Sequence, residues 1–261
     1  MRQWYAGESL CTPSRAASMT GRLPLRTGMI PPPGSGARVS STESSGGLPL
    51  DETTLGEMLG AAGYHTGIVG KWHLGINRNT STDGYWLPKR RGFDHSGLTL
   101  PFSNHWNCDE NKRHVAAPDA KRCLLYKNDT LVQQPIDHSS LTENLAADAV
   151  AFLREAAAAQ HTGGADAKPF FLYFGFPQCH VSMFNNINWA NSSRNGVFGS
   201  NIREVGGKRL SEEERRRRRQ GRGEACGAEG AGEADAGEEG GAHLNGCRHG
   251  EQHVQQSSCG G

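Results

Sequence analysis

Residues 11 to 15, Cys-Thr-Pro-Ser-Arg, bring a thiol, a proline and a guanidinium together in one short stretch. A cysteine just ahead of a helix start lies in the positive field of that helix end. Cysteines of lowered pKa occur at such places. Arg15 adds a rigid fork of donors suited to phosphate- or sulfate-like groups. The ordinary alternative is a small buried cysteine beside a surface arginine, and spacing alone does not choose between them. Further along stand Lys71 and His73, then Cys179 and His180. An unperturbed imidazole titrates near about 6.5, which suits proton transfer in a mildly acidic setting. Their ordinary alternatives are a strand-end surface lysine and a satisfied histidine beside Trp72.

These groups need elements to carry them. Thr12-Pro13 has the form of a helix start, with Thr as N-cap and Pro first in the helix, running through Arg15, Ala16 and Ala17 to a stop near Gly21. Residues 31 to 47 read as a loop. Thr54-Leu55-Gly56-Glu57 is a capping-box pattern, with Leu55, Met58 and Leu59 on one face and Gly63 as the stop. Tyr64 to Trp72 reads as a buried strand with a polar end. Residues 77 to 138 show few clear elements. Ser140-Leu141-Thr142-Glu143 is a second capping box, opening a helix to about Ala159 with Leu145, Ala149, Phe152 and Leu153 as its apolar stripe. Pro169 to Phe176 is an apolar run of strand length. Helix, strand, helix, strand predicts an α/β fold with a mostly parallel sheet flanked by helices. Functional groups in such sheets gather beyond the strand C-terminal ends, where Lys71, His73, Cys179 and His180 fall.

The chain has 261 residues, room for one large domain or two small ones. Lys plus Arg is 28 against 27 Asp plus Glu, so net charge points to no nucleic acid. From Ser211 onward the chain is rich in Gly and Glu and poor in aliphatics. Such a segment cannot offset chain entropy by burial. The expected organisation is a folded part over 1–206 and a low-complexity, disordered tail over 207–261. The run Arg215 to Arg219 has acidic neighbours and no interleaved aromatics, which weakens a nucleic-acid reading. His243, Cys247, His249, His253 and Cys259 fit no standard zinc spacing. Cys108 and Cys123 are candidates for a disulfide in an oxidising compartment, though connectivity stays open. Sequons at Asn79, Asn128 and Asn191 point to N-glycosylation and a secretory route. The opening MRQWYAGESL is too polar for a signal peptide, and no stretch reads as a membrane span. If the protein is secretory, the expectation is that this chain lacks its beginning.

Cys11 to Ala17, with Thr20-Gly21-Arg22 after it, resembles the first sulfatase signature, matching its CxPxR core and trailing TGR. Gly63 to Gly75, GYHTGIVGKWHLG, resembles the second signature, in the right order. Gly47-Leu48-Pro49-Leu50, Arg91-Gly92-Phe93-Asp94 and Lys168 to Tyr173 also resemble this family, especially its arylsulfatase A and N-acetylgalactosamine-6-sulfatase members. The resemblance runs from about Trp4 to about Glu204. It implies a partial alkaline-phosphatase-like sulfatase N-terminal domain.

The resemblance implies a sulfuric ester hydrolase in which Cys11 is a precursor, oxidised to formylglycine by a formylglycine-generating enzyme. A hydroxyl of the hydrated aldehyde would attack sulfur, a form of covalent catalysis. One Ca²⁺ per site, touching the formylglycine at position 11, would act as Lewis acid. Arg15 would steady the formylglycine. Lys71 would contact the sulfate, and His73 would orient a hydroxyl or take its proton. Ser103, in Leu100-Pro101-Phe102-Ser103, lines up with a sulfate-binding serine. His180 lines up with a histidine that touches sulfate and protonates the leaving oxygen. The substrate would be an aryl sulfate, a sulfolipid or a sulfated glycan, and the location lysosomal or secreted.

The chain also departs from the family pattern. Ser18 and Met19 stand where two leucines are frequent, and His180-Val181-Ser182 where His-x-Pro is usual. No Asp precedes Cys11, and no Asp-Asn pair follows the His180 region before Glu204. The acidic Ca²⁺ ligands of the family are thus absent from these positions. The abrupt change after Val205 resembles translation past an exon boundary. The expectation competing with a working hydrolase is a truncated, non-catalytic sulfatase-like fragment that binds anions or a partner.

Overall fold

The computed structural model describes residues 3, 5–30, 46–103, 105, 108, 122–164, 167–180 and 182–207. The chain divides into two units, Met1–Ser211 and Glu212–Gly261. The expected disordered tail from 208 onward, its arginine run and its His/Cys set lie outside the described residues, as do 31–45 of the expected loop.

Helix α1 spans Cys11–Thr20 and helix α2 Leu55–Ala61. Strand β1 spans His65–Lys71 and β2 His95–Leu100. Strands β3, Leu125–Lys127, and β4, Thr130–Gln133, form a hairpin. Helix α3 spans His138–Thr162, strand β5 Phe170–Gly175 and helix α4 Gly196–Gly207. The sheet order is β4-β3-β2-β1-β5. Strands β2, β1 and β5 run parallel, while β3 and β4 are antiparallel additions. The sheet is therefore mixed, parallel in the half that carries the predicted residues.

Alternation along β1 sends Ile68 to one face and Val69 to the other. Ile68 joins Ala16, Met19, Leu48, Trp72 and Phe93. Val69 joins Leu141, Leu145 and Ala149 of α3. Burial on both faces is the signature of a parallel strand covered by helices. Gly70 has φ +92, and a Cβ there would collide with the Gly175 carbonyl of β5. Only glycine lets these two strand ends approach so closely.

Two helix starts differ from expectation. Cys11 is itself the first helical residue, Leu10 is the N-cap and no side chain caps the helix. Thr12 lies inside the first turn, its buried Oγ1 without a hydrogen-bond partner among the described residues. Pro13 falls third, where its missing N–H is still one of those a helix start leaves unpaired. The end is as expected: Gly21 adopts φ +66 and donates its N–H to Ala17. Helix α3 begins at His138 rather than Ser140, because Asp137 accepts from the Ser139 N–H and from the Ser140 hydroxyl. Its stripe includes Leu141 and Ala156 and excludes the exposed Leu153.

The capping box of α2 forms as read. The Glu57 N–H donates to Thr54 Oγ1 at 3.1 Å and the Thr54 N–H to Glu57 Oε2 at 2.7 Å. Its buried face carries Gly56, and Met58 is exposed. The stretch 77–138, read as poor in elements, contains β2, β3 and β4. Cys108 and Cys123 are joined by a disulfide.

Candidate active site

Four segments converge on Cys11. It opens α1, half-buried. Lys71 ends β1 and is only 2% exposed. Its Nζ donates to Ser103 Oγ, just beyond β2. His180, past β5, lies with Nε2 3.3 Å from the same hydroxyl. Its neighbour Cys179 has φ +67, which turns the chain back after the strand. His73 is buried with φ +64. Backbone bonds extend the pairing past the sheet: Trp72 N–H to Leu100 O at 2.9 Å and His73 N–H to Pro101 O at 3.1 Å. A strained left-handed residue persists where its surroundings over-determine it. Arg15, one turn into α1, donates through Nη1 to Lys71 O at 2.7 Å and to Tyr173 Oη at 3.0 Å.

The electrostatics follow from this crowding. Hydrogen bonds from His180 and His73, with the Lys71 charge, hold the Cys11 thiol down to about 4 against the opposing cost of burial. Burial and the Arg15 charge push Lys71 down to about 8, while the Cys11 side chain pulls the other way. The pocket gathers a guanidinium, an ammonium and two imidazoles. That set fits an oxyanion with several acceptor oxygens. It does not fit the implied Ca²⁺, which takes about six to eight oxygen ligands. Among the described residues the only cluster of His, Cys, Asp and Glu with metal-site spacing is Cys108, Cys123 and His138, two of them spent in the disulfide.

Cys11, Arg15, Lys71, His73, Ser103 and His180 are thus brought together in space. Tyr173 is the residue that reading missed. It sits in an apolar strand run, and its hydroxyl among phenylalanines was the available signal. The other quoted motifs are framework. Arg22 of the TGR piece pairs with Glu52 at 2.8 Å. Arg91 is buried and bonded to Glu57 and to the carbonyls of Leu48 and Glu52. Asp94 accepts from the Thr66 N–H at 3.1 Å. Asn79, Asn128 and Asn191 are all exposed.

Comparison with known proteins agrees with this geometry. The Sulfatase family model matches residues 1–204. An arylsulfatase of Hemicentrotus pulcherrimus is 46% identical over 201 residues, covering 77% of this chain and 34% of its own length. Arylsulfatase A of Bos taurus is 39% identical over 210 residues, and arylsulfatase G of Rattus norvegicus 34% over 221, each covering 77% of this chain and 38% of the relative. The chain therefore spans little more than a third of these relatives. Among solved structures, Ps i-CgsB in complex with k-i-k-neocarrahexaose superposes with TM-score 0.57 at 23% identity, over 77% of this chain and 43% of that one. The PsFucS1 sulfatase from Pseudoalteromonas sp. gives 0.54 at 22% identity, over 79% and 43%. These two show the shared fold, and the family match over most of the chain settles its membership: this chain belongs to the sulfatase family.

Proposed function

We propose that the protein to which this chain belongs hydrolyses sulfate esters, with Cys11 as the precursor of formylglycine. The observation that carries this reading is the convergence of Lys71, His73 and His180 on the Cys11 side chain, with Ser103 between Lys71 and His180 and Arg15 bonded to the Lys71 carbonyl. Formylglycine, when present, supplies an aldehyde hydrate whose hydroxyl attacks sulfur. Lys71 and Ser103 hold sulfate oxygens, and the Lys71 ammonium offsets charge developing on them. His73 orients the attacking hydroxyl and accepts its proton. His180 gives a proton to the departing ester oxygen, a transfer that its place beside Ser103 supports. Arg15, fixed by Tyr173, steadies the charge around position 11. No step is assigned to Ca²⁺, because the described residues offer no oxygen cage for it.

The reading extends to context. Residues 1–206 would be the chemistry-bearing part of this chain. The modifying partner would be a formylglycine-generating enzyme. The disulfide and the three exposed sequons support a lysosomal or secreted glycoprotein. Arylsulfatase relatives favour an aryl sulfate, a sulfolipid or a sulfated glycan as substrate. A second reading, favoured by the lack of a carboxylate among the described residues around Cys11, is a sulfatase-like chain that binds anions without turnover.

The test is to co-express the chain behind a signal sequence with the modifying enzyme, then analyse the Cys11 peptide by mass spectrometry and assay an aromatic sulfate ester. Formylglycine at position 11 and turnover abolished in Cys11→Ala support hydrolysis. Conversion with sulfate binding but no turnover marks the second reading. Unmodified thiol throughout, with no affinity for sulfate, overturns both.

A further inference from the structure

One buried ring beside the pocket has no part in the chemistry above. His105 is 0% exposed and meets the His180 ring edge-on, with centroids 5.5 Å apart and planes at 84°. On its other sides it packs against Phe184 at 5.6 Å and His138 at 6.3 Å. His138 and Phe184 in turn stack at 4.5 Å with planes 15° apart. His138 is the first residue of α3. A continuous wedge of rings thus runs from the start of α3 to His180.

We propose that His105 is a positioning residue that fixes the plane of the His180 imidazole; this rests on the sulfate-ester reading of the site. His180 needs such a support. It lies on a turn past β5, half-buried, with a 3.4 Å backbone bond to Pro177 as its local tether. Ser103 holds one edge of its ring through Nε2. Hydrogen bonds to Ser103 and to the Cys11 side chain hold the polar edge of the ring, which can still tilt about that edge, and a packing contact against its face or edge limits this tilt. Edge-to-face packing is the geometry that aromatic quadrupoles favour. Ser103 and His105 belong to one segment after β2, so this segment supplies both the hydrogen-bond partner and the wall. A site residue on a loop reaches productive geometry only when its own rotamer is locked by packing. His105 therefore acts on the sulfate through His180 and does not touch it.

The experiment uses the 261-residue chain with ¹³C,¹⁵N-labelled histidine, titrated with inorganic sulfate. In the wild type, sulfate shifts the His180 ring signals, and the His105 and His180 rings show a mutual nuclear Overhauser effect. In His105→Ala, with circular dichroism unchanged, the His180 signals broaden or move and sulfate affinity falls about tenfold, within the range a misplaced group costs. His105→Phe, which keeps a ring, restores most of that loss. Unchanged His180 signals and affinity in His105→Ala overturn the proposal. Should His105→Ala not fold, His105→Phe is set against His105→Gln: the ring variant near wild type and the Gln variant impaired supports positioning, and equal behaviour of the two overturns it. A wild type that ignores sulfate removes the sulfate-ester reading, while the sulfate-free His180 signals of the variants still decide on His105.

Discussion

Two buried cations, Arg91 and Lys71, serve opposite ends. Arg91 is fully buried and closed off: Glu57 faces its Nε at 3.0 Å, Leu48 O its Nη1 at 2.7 Å, and Glu52 O its Nη2 at 2.6 Å. Lys71 is nearly as buried, yet it meets the Ser103 hydroxyl and the Cys11 side chain, with no carboxylate partner among the described residues. A buried charge whose partners are built in is a structural rivet. Among the described residues the counter-charge beside Lys71 is the ionised Cys11 side chain, so the buried ammonium keeps a solvation cost that an incoming anion further relieves. The first ties loop 48–52 to α2. In the proposed function the second is held ready for a ligand.

The difference can be broken from either side. The largest effect is expected from Arg91→Met, which strands Glu57 and two carbonyls and costs about 3–5 kcal/mol in chemical denaturation. Lys71→Met should do the reverse. Its folding stability should stay within about 1 kcal/mol of wild type, or rise, since a costly buried charge is removed. Its sulfate affinity, read by calorimetry, should fall about 30-fold or more. Equal destabilisation by both substitutions would erase the distinction.

A pH profile sharpens the contrast. In unconverted chain the folded Cys11 thiol titrates at about 4, well below its ordinary 9.0. Between these values the unfolded chain holds a proton that the folded chain has lost, so stability rises with pH across this window. It is lost as pH falls through about 4. Denaturation series at pH 5 and pH 8 should show this gain in wild type and its collapse in Cys11→Ser.

The smallest effects concern two threonines. Thr54 caps α2 with both halves of the box in place, so Thr54→Ala should cost about 1 kcal/mol. Thr12 buries a hydroxyl without a partner among the described residues, so Thr12→Val should be neutral or slightly stabilising. Thermal melts of the two variants compare them directly.

These threonines also mark where sequence reading works. Ser/Thr followed three residues later by Glu has one physical meaning, and at Thr54 it was realised. Thr-Pro has two, because proline suits any position of the first turn, and at Thr12 the wrong one was read. Strands β1 and β5 were legible as long apolar runs. Strand β2 was not, since it buries Ser96 and Thr99 and carries Gly97 close under Asp148. Strands β3 and β4 are too short for periodicity and owe their pairing to β2. In the site, Cys11, Arg15, Lys71 and His73 stood in dense local motifs. Tyr173 and His105 act through partners remote in the chain, which no local pattern records.

That remoteness sets an order of events. The Arg15–Tyr173 bond joins residues 158 apart in sequence, and Ser103–His180 joins residues 77 apart. Such distant closures form late in folding, because loop entropy must be overcome before they reward it. Helix α1 and its cysteine leave the ribosome long before β5 exists to wall them in. Under the proposed formylglycine reading, a modifying enzyme would find residues 11 to 15 open early and walled in later. On that reading synthesis itself would act as the clock for maturation: a chain that folds too fast, or is modified too slowly, would close its site around an unconverted thiol.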